Sequence, residues 1–112
     1  MTYREKSIYI CAMDHVEIFK ALSNKTRLQI LNWLKEPATN FPEQLNPDFE
    51  NVGVCVGQIQ IKAGLSQSTI SEYLSILQRA NLVCATRVGQ WTYYKRSEEG
   101  LKLLNQIINT EL

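Results

Sequence analysis

The chain has 112 residues, enough for one domain with a modest core. Its hydrophobic fraction of 45% and charged fraction of 21% are ordinary for a soluble globular protein, and no apolar run approaches the roughly 20 residues that span a bilayer. The apolar patch from Ile8 to Met13 is cut short by Asp14 and His15, which argues against a signal peptide. Cys11, Cys55 and Cys84 are odd in number and widely spaced, which argues against a disulfide framework, so a cytoplasmic location is expected.

Taken in chain order, Val16, Ile18, Phe19 and Leu22 recur at helical spacing and predict a helix from about Asp14 to Leu22. Residues 1–13 precede it as an arm or a further helix. Ser23-Asn24 breaks the pattern and supplies N-cap chemistry for a second helix from about Lys25 to Lys35, whose Leu28, Ile30, Leu31, Trp33 and Leu34 form an apolar stripe. Residues 36–53 contain all three prolines and predict a long loop, tacked to the body by Phe41, Leu45 and Phe49. A third helix is expected from about Cys55 to Ala63, ended by Gly64. Ser66 opens a fourth, with Ile70, Leu74 and Leu77 on its inner face and Asn81 suited to the left-handed turn at its end. The period then changes. Leu82 to Arg87 and Trp91 to Arg96 are β-prone runs around Val88-Gly89-Gln90 and predict a hairpin. Ser97, with Glu98 and Glu99 behind it, starts a last helix with an apolar face of Leu101, Leu104 and Ile108.

Net charge is only +1, but its distribution is uneven. Residues 60–96 carry Lys62, Arg79, Arg87, Lys95 and Arg96 against Glu72, a local net charge of +4. Such a segment is a candidate surface for a polyanion, although a solvated face can look the same.

Two short helices joined at Ala63-Gly64-Leu65-Ser66 have the helix-turn-helix form, in which the second helix enters the major groove of DNA. Its outward positions are Gln67, Ser68, Thr69, Ser71, Glu72 and Ser75, short or polar groups that can approach bases and phosphates. The hairpin adds a wing. Strand alternation puts Trp91 and Tyr93 on one face and Thr92 and Tyr94 on the other. One of these pairs is expected to pack on the helices, while Arg87, Gln90, Lys95 and Arg96 supply phosphate or minor-groove contacts.

The segment from Phe19 to Leu31, with Ala21-Leu22-Ser23-Asn24-Lys25-Thr26-Arg27-Leu28 at its centre, resembles the opening signature of the arsenical-repressor (ArsR) family of winged-helix regulators. Leu65 to Ser71 is similar to the start of that family's recognition helix, and Leu74 to Val83 with Gly89 to Tyr94 to its end and wing. The resemblance covers nearly the whole chain from Asp14. It implies a mainly α, single-domain (1–112) winged helix-turn-helix homodimer joined through its first and last helices, Leu101, Leu104 and Ile108 included. It also implies binding to an inverted-repeat operator in duplex DNA and repression released by an effector of unspecified chemistry. Glu72 and Tyr73 depart from the pattern, since members often carry arginine and histidine there.

The family's soft-metal box is a Cys-Val-Cys motif. Its counterpart here, Cys55-Val56-Gly57, keeps one thiolate, and the last helix has no histidine for a zinc-type site. No metal and no cofactor are expected. Some relatives bring N-terminal thiolates to this box, which makes Cys11 and Cys55 a candidate thiol-redox pair. The competing reading is two small buried apolar residues. Nucleophile motifs, phosphate-binding glycine loops and paired-His motifs are all missing, so no enzymatic activity is expected. A winged-helix module for protein contacts is the alternative to a DNA-binding regulator.

Overall fold

The computed structural model describes residues 15–42 and 52–112. Helix α1 runs His15–Leu22 and α2 runs Lys25–Lys35. The cap between them resolves onto Asn24, whose side-chain oxygen accepts from the Arg27 N–H at 3.0 Å. The Ser23 hydroxyl turns back and donates to the Lys20 carbonyl. Ile18 and Ala21 of α1 and Ile30, Leu31 and Leu34 of α2 are buried.

The expected loop over residues 36–53 is corrected at its start. Pro37–Asn40 forms a short helix, α3. Proline is suited to the first helical position, where its fixed φ fits and its missing N–H would have had no partner. The Asn40 amide then donates to the carbonyls of Trp33 and Glu36 at 3.2 and 3.0 Å, partnering the end of α2. Phe41 is buried and meets Trp33 edge-on, ring centroids 6.4 Å apart. Leu45, Phe49, Cys11 and the 1–13 arm lie outside the described residues.

A second correction concerns the third helix. Val54–Cys55 is a short strand, β1, and α4 starts one residue later, over Val56–Ala63. The strand pairs antiparallel with β3, Val54 opposite Tyr94 and Cys55 opposite Tyr93. Gly53 permits the approach. Its φ is +101°, and a Cβ there would collide with the Tyr94 carbonyl.

Gly64 ends α4 in the left-handed conformation, its N–H meeting the Gln60 and Ile61 carbonyls. Helix α5 spans Gln67–Arg79. It closes as the sequence predicts: Asn81 takes φ +60°, and the Leu82 N–H reaches the Leu77 carbonyl at 2.9 Å. Strands β2 (Val83–Val88) and β3 (Trp91–Arg96) form the hairpin, with Val88 opposite Trp91 and only Gly89-Gln90 between them. The sheet order is β1-β3-β2, so the expected two-stranded hairpin is part of a three-stranded antiparallel sheet. Helix α6 covers Glu98–Glu111. Ile30, Val54, Ile59, Ile70, Leu74, Leu77 and Leu82 are fully buried and bring α2, the sheet, α4 and α5 to one core. The arrangement is a winged helix-turn-helix. Among the described residues no helix is long and apolar enough to cross a membrane.

One junction fixes α6 against the end of α5. The buried Ser97 hydroxyl accepts from the Gly100 N–H at 3.0 Å and lies 3.4 Å from the Asn81 side-chain oxygen, while the Ser97 N–H donates to the Leu82 carbonyl. Gly100 lies so close that a Cβ would run into the Asn81 carbonyl. Gly57, near the start of α4, has open space where its Cβ would stand. Gly100→Ala is therefore expected to lower stability by at least about 2 kcal/mol, because backbone must move to relieve the overlap. Gly57→Ala is expected to be neutral or to stabilise by up to about 1 kcal/mol. Urea denaturation midpoints measure both.

Candidate nucleic-acid interface

Helix α5 is divided lengthwise. Its inner face, Ile70, Leu74 and Leu77, is buried without remainder, and Tyr73 and Ile76 flank it. The outer face exposes Gln67, Ser68, Ser71, Glu72 and Ser75. These outward positions are the ones the helical period predicts. Thr69 differs in being half-buried, since it belongs to the cap.

That cap is a cluster of hydroxyls. Ser66 Oγ accepts from the Thr69 N–H at 3.2 Å, donates to Thr69 Oγ1 at 2.9 Å and lies 3.2 Å from Ser68 Oγ. The cluster presents polar groups at the positive end of a 13-residue helix, which suits an anion on electrostatic grounds. Ser66 itself is exposed and belongs with this surface, although its place in the sequence marks it only as a cap. Glu72 is exposed and has no cationic partner among the described residues, so it sets a negative charge amid this polar face.

Tyr73 is turned aside. The Arg27 guanidinium lies 5.1 Å from its ring centroid. The same guanidinium donates from Nε to the Ala21 carbonyl at 2.8 Å and from Nη2 to the Lys20 carbonyl at 3.1 Å. Arg27 thus caps the end of α1 and stacks on α5, linking both helices through one side chain. Period and spacing carry no signal for this contact.

The basic segment separates into two groups. Lys62 sits against Trp33 and Phe41, 5.2 and 5.8 Å from their ring centroids. Arg96 is held by Glu98 through two hydrogen bonds of 3.1 and 3.0 Å. Lys62 is exposed too, whereas Arg79, Arg87 and Lys95 are exposed with neither an acidic nor an aromatic partner among the described residues, Arg79 being an addition to the predicted set. Arg87 Nε donates to the Gly89 carbonyl at 3.0 Å, which keeps its guanidinium beside the turn, and Gln90 is exposed in that turn.

Cross-strand partners share a face of the sheet. By register, Arg87, Thr92 and Tyr94 lie on one face and Val88, Trp91, Tyr93 and Lys95 on the other. Tyr94 is the aromatic that packs against the core, so the Thr92/Tyr94 face is the inner one. Its burial pushes the phenol above its ordinary pKa. The associated stability is complete below the ordinary value, about 10, and is lost as pH rises through the higher folded value.

Of the cysteines, Cys55 is half-buried at the N-cap of α4 and Cys84 is exposed on β2, both as free thiols. Cys55 stands opposite Tyr93 and Cys84 opposite Lys95, with β3 between their strands. Leu104 is buried within the single chain at 8% exposure, Leu101 is half-buried and Ile108 is 41% exposed. Among the described residues no cluster of three or more His, Cys, Asp or Glu could hold a metal ion.

Known proteins share this arrangement. The sequence profile described as bacterial regulatory protein, arsR family, matches residues 53–84, which run from β1 through the helix-turn-helix into the wing. The HTH-type transcriptional regulator YbzH of Bacillus subtilis is 51% identical over 100 residues, covering 89% of this chain and 100% of that protein. Among solved structures, HlyU of Vibrio cholerae superposes with a TM-score of 0.59 at 28% identity, over 88% of this chain and 90% of its own. A homodimeric winged helix-turn-helix DNA-binding domain from Mycobacterium bovis gives 0.59 at 29% identity, over 91% and 84%. The chain belongs to the arsR family of bacterial regulatory proteins, a family of transcriptional regulators rather than enzymes, built on the winged helix-turn-helix DNA-binding fold.

Proposed function

We propose that the protein binds duplex DNA as a homodimer at an inverted repeat and represses transcription there, with an effector controlling release. The observation that carries the DNA contact is the polar outer face of α5, set on a fully buried inner face and accompanied by exposed Arg79, Arg87 and Lys95. In this reading α5 lies in the major groove, with Gln67 and Ser71 reading base edges and the Ser66-Ser68-Thr69 hydroxyls at a phosphate. Arg87 and Lys95 supply the wing's phosphate contacts from opposite faces of the hairpin, and Gln90 stands at its turn. Arg96, already paired with Glu98, is left out of the contact set. Repression follows if the occupied operator overlaps a promoter. Effector control is what the family resemblance implies.

Dimerisation through the terminal helices is supported by two features. The Mycobacterium bovis neighbour is a homodimer. In this chain the start of α1 meets the end of α6, His15 Nδ1 lying 2.9 Å from a Glu111 carboxylate oxygen, with Ile108 exposed on α6. Leu104 belongs to the core of its own chain, so Ile108 is the cleaner probe of association.

Three outcomes are expected. Replacing Arg87 and Lys95 with Ala should weaken binding to every duplex and lower the salt slope by about one for each phosphate that is no longer neutralised. An unchanged slope in fluorescence-anisotropy titrations at graded salt would remove the wing from the interface, and wild-type protein with no salt-dependent DNA binding would favour a protein-contact module. Gln67→Ala and Ser71→Ala should alter which sequences are selected from a random duplex pool, each at about 1–3 kcal/mol of discrimination. Retention of the wild-type preference in both would refute the assignment of α5. Ile108→Glu should give a monomer by sedimentation velocity and weaken operator binding by about a hundredfold; an unaltered dimer would place the interface elsewhere.

A further inference from the structure

The wing carries one large group that the contacts above do not use. Val88 and Trp91 form the last pair before the turn and are 47% and 53% exposed. An indole left in water at a hairpin tip forgoes more burial than almost any other side chain would, and an exposed apolar pair of this size marks a contact surface. Register turns Trp91 away from the face that packs on the core, and Trp91 is not among the partly buried residues lying against that core.

The charge around it selects the class of partner. From Val83 to Arg96 the hairpin contains no aspartate or glutamate, and with Arg96 paired to Glu98 its remaining cations are Arg87 and Lys95. Arg87 is kept at the turn by the Gly89 carbonyl. Arg87 lies on the opposite face from Trp91 but is held at the same turn, so an apolar protein surface or a lipid tail that enclosed the hairpin tip would desolvate it without a counter-charge, which is unfavourable. A nucleic-acid groove offers both partners at once: phosphates along its walls for the cations, and sugar and base edges on its floor for the indole. The turn is two residues wide, so its side chains can enter a minor groove about 6 Å across, whereas the whole ribbon cannot.

We propose that Trp91 is a specificity-determining residue that enters the minor groove of DNA beside the operator half-site as an apolar wedge. This rests on the DNA-binding reading and adds to it a residue that forms no base hydrogen bond. A side chain pressed between base steps partly unstacks them. The cost depends on the step, being lowest at flexible pyrimidine–purine steps such as TA and CA/TG. Trp91 therefore makes the protein prefer a flexible step where the wing lands.

The experiment uses a duplex selected by the wild-type full chain from a random pool. Trp33 and Trp91 are the two tryptophans, so Trp33→Phe makes Trp91 the sole indole reporter. Should that variant fold poorly, fluorine NMR of fluorotryptophan-labelled wild type resolves the two rings. Trp91 emission should be quenched, or its resonance shifted, on adding the duplex. Trp91→Ala should bind about tenfold more weakly and lose the preference for a TA or CA step under the wing, a loss on the scale expected for one wedge, with its salt slope unchanged. An unperturbed Trp91 signal overturns the proposal, as does a Trp91→Ala protein that keeps the wild-type step preference. Either result leaves the DNA-binding reading standing. A wild type that selects no duplex overturns both.

Discussion

Burial of the inner face of α5 is the constraint on which the remaining structure depends. Ile70, Leu74 and Leu77 are removed from water completely, each worth roughly 1.5–3 kcal/mol, and they meet Ile30, Ile59 and Leu82 in the same cluster. A helix held along one stripe has no rotational freedom left, so its other stripe is presented at a fixed angle. That is how a sequence of small polar residues, Gln67, Ser68, Ser71 and Ser75, becomes a surface with a defined orientation. The turn before the helix and the turn after it follow from the same requirement. Gly64 and Asn81 both take positive φ because the chain must leave the core within one or two residues at each end.

Around this element the other contacts act as braces. Arg27 ties the end of α1 to Tyr73, and the Asn81-Ser97-Gly100 junction ties α6 to the far end of α5. The terminal helices are joined by His15 and Glu111. A displacement of α1 relative to α6 would therefore be felt at the middle of α5, through Tyr73, and at its C-terminal end, through Asn81 and Ser97. Control of operator affinity by an effector would act through a linkage of this kind. Metal chemistry at the family's thiolate box has little support in this chain, where Gly57 stands at the position of a second thiolate, and Cys11, the proposed redox partner of Cys55, falls outside the described residues.

Much of this was legible in the sequence because it is written in period and punctuation. Leu74 and Leu77 at helical spacing, Ser66 and Ser97 as caps, and Gly89 between β-prone runs each state a local rule that the fold obeys. The features that were not legible depend on partners distant in the chain. A strand of two residues, Val54–Cys55, has no period, and it exists only because Tyr94 offers a hydrogen-bonding edge and Gly53 permits the approach. Prolines read as loop, yet Pro37 starts a helix, since the first position is the one place in a helix that welcomes proline. In the basic segment the count of charges was visible, but not that Glu98 engages Arg96 or that Trp33 and Phe41 flank Lys62. Alternation in β3 separated Trp91 from Tyr94 without saying which faced inward. The core contact of Tyr94 decides that.

Everything proposed for the function rests on two copies of α5 sitting in successive major grooves on one side of a duplex. Hydroxyl-radical footprinting of wild-type protein on a duplex selected from a random pool tests this most directly. Two protected patches related by two-fold symmetry are expected, their centres about one helical turn, or roughly 10–10.5 base pairs, apart. A single asymmetric patch, or symmetric protection at a spacing that is not a whole number of turns, would contradict that arrangement.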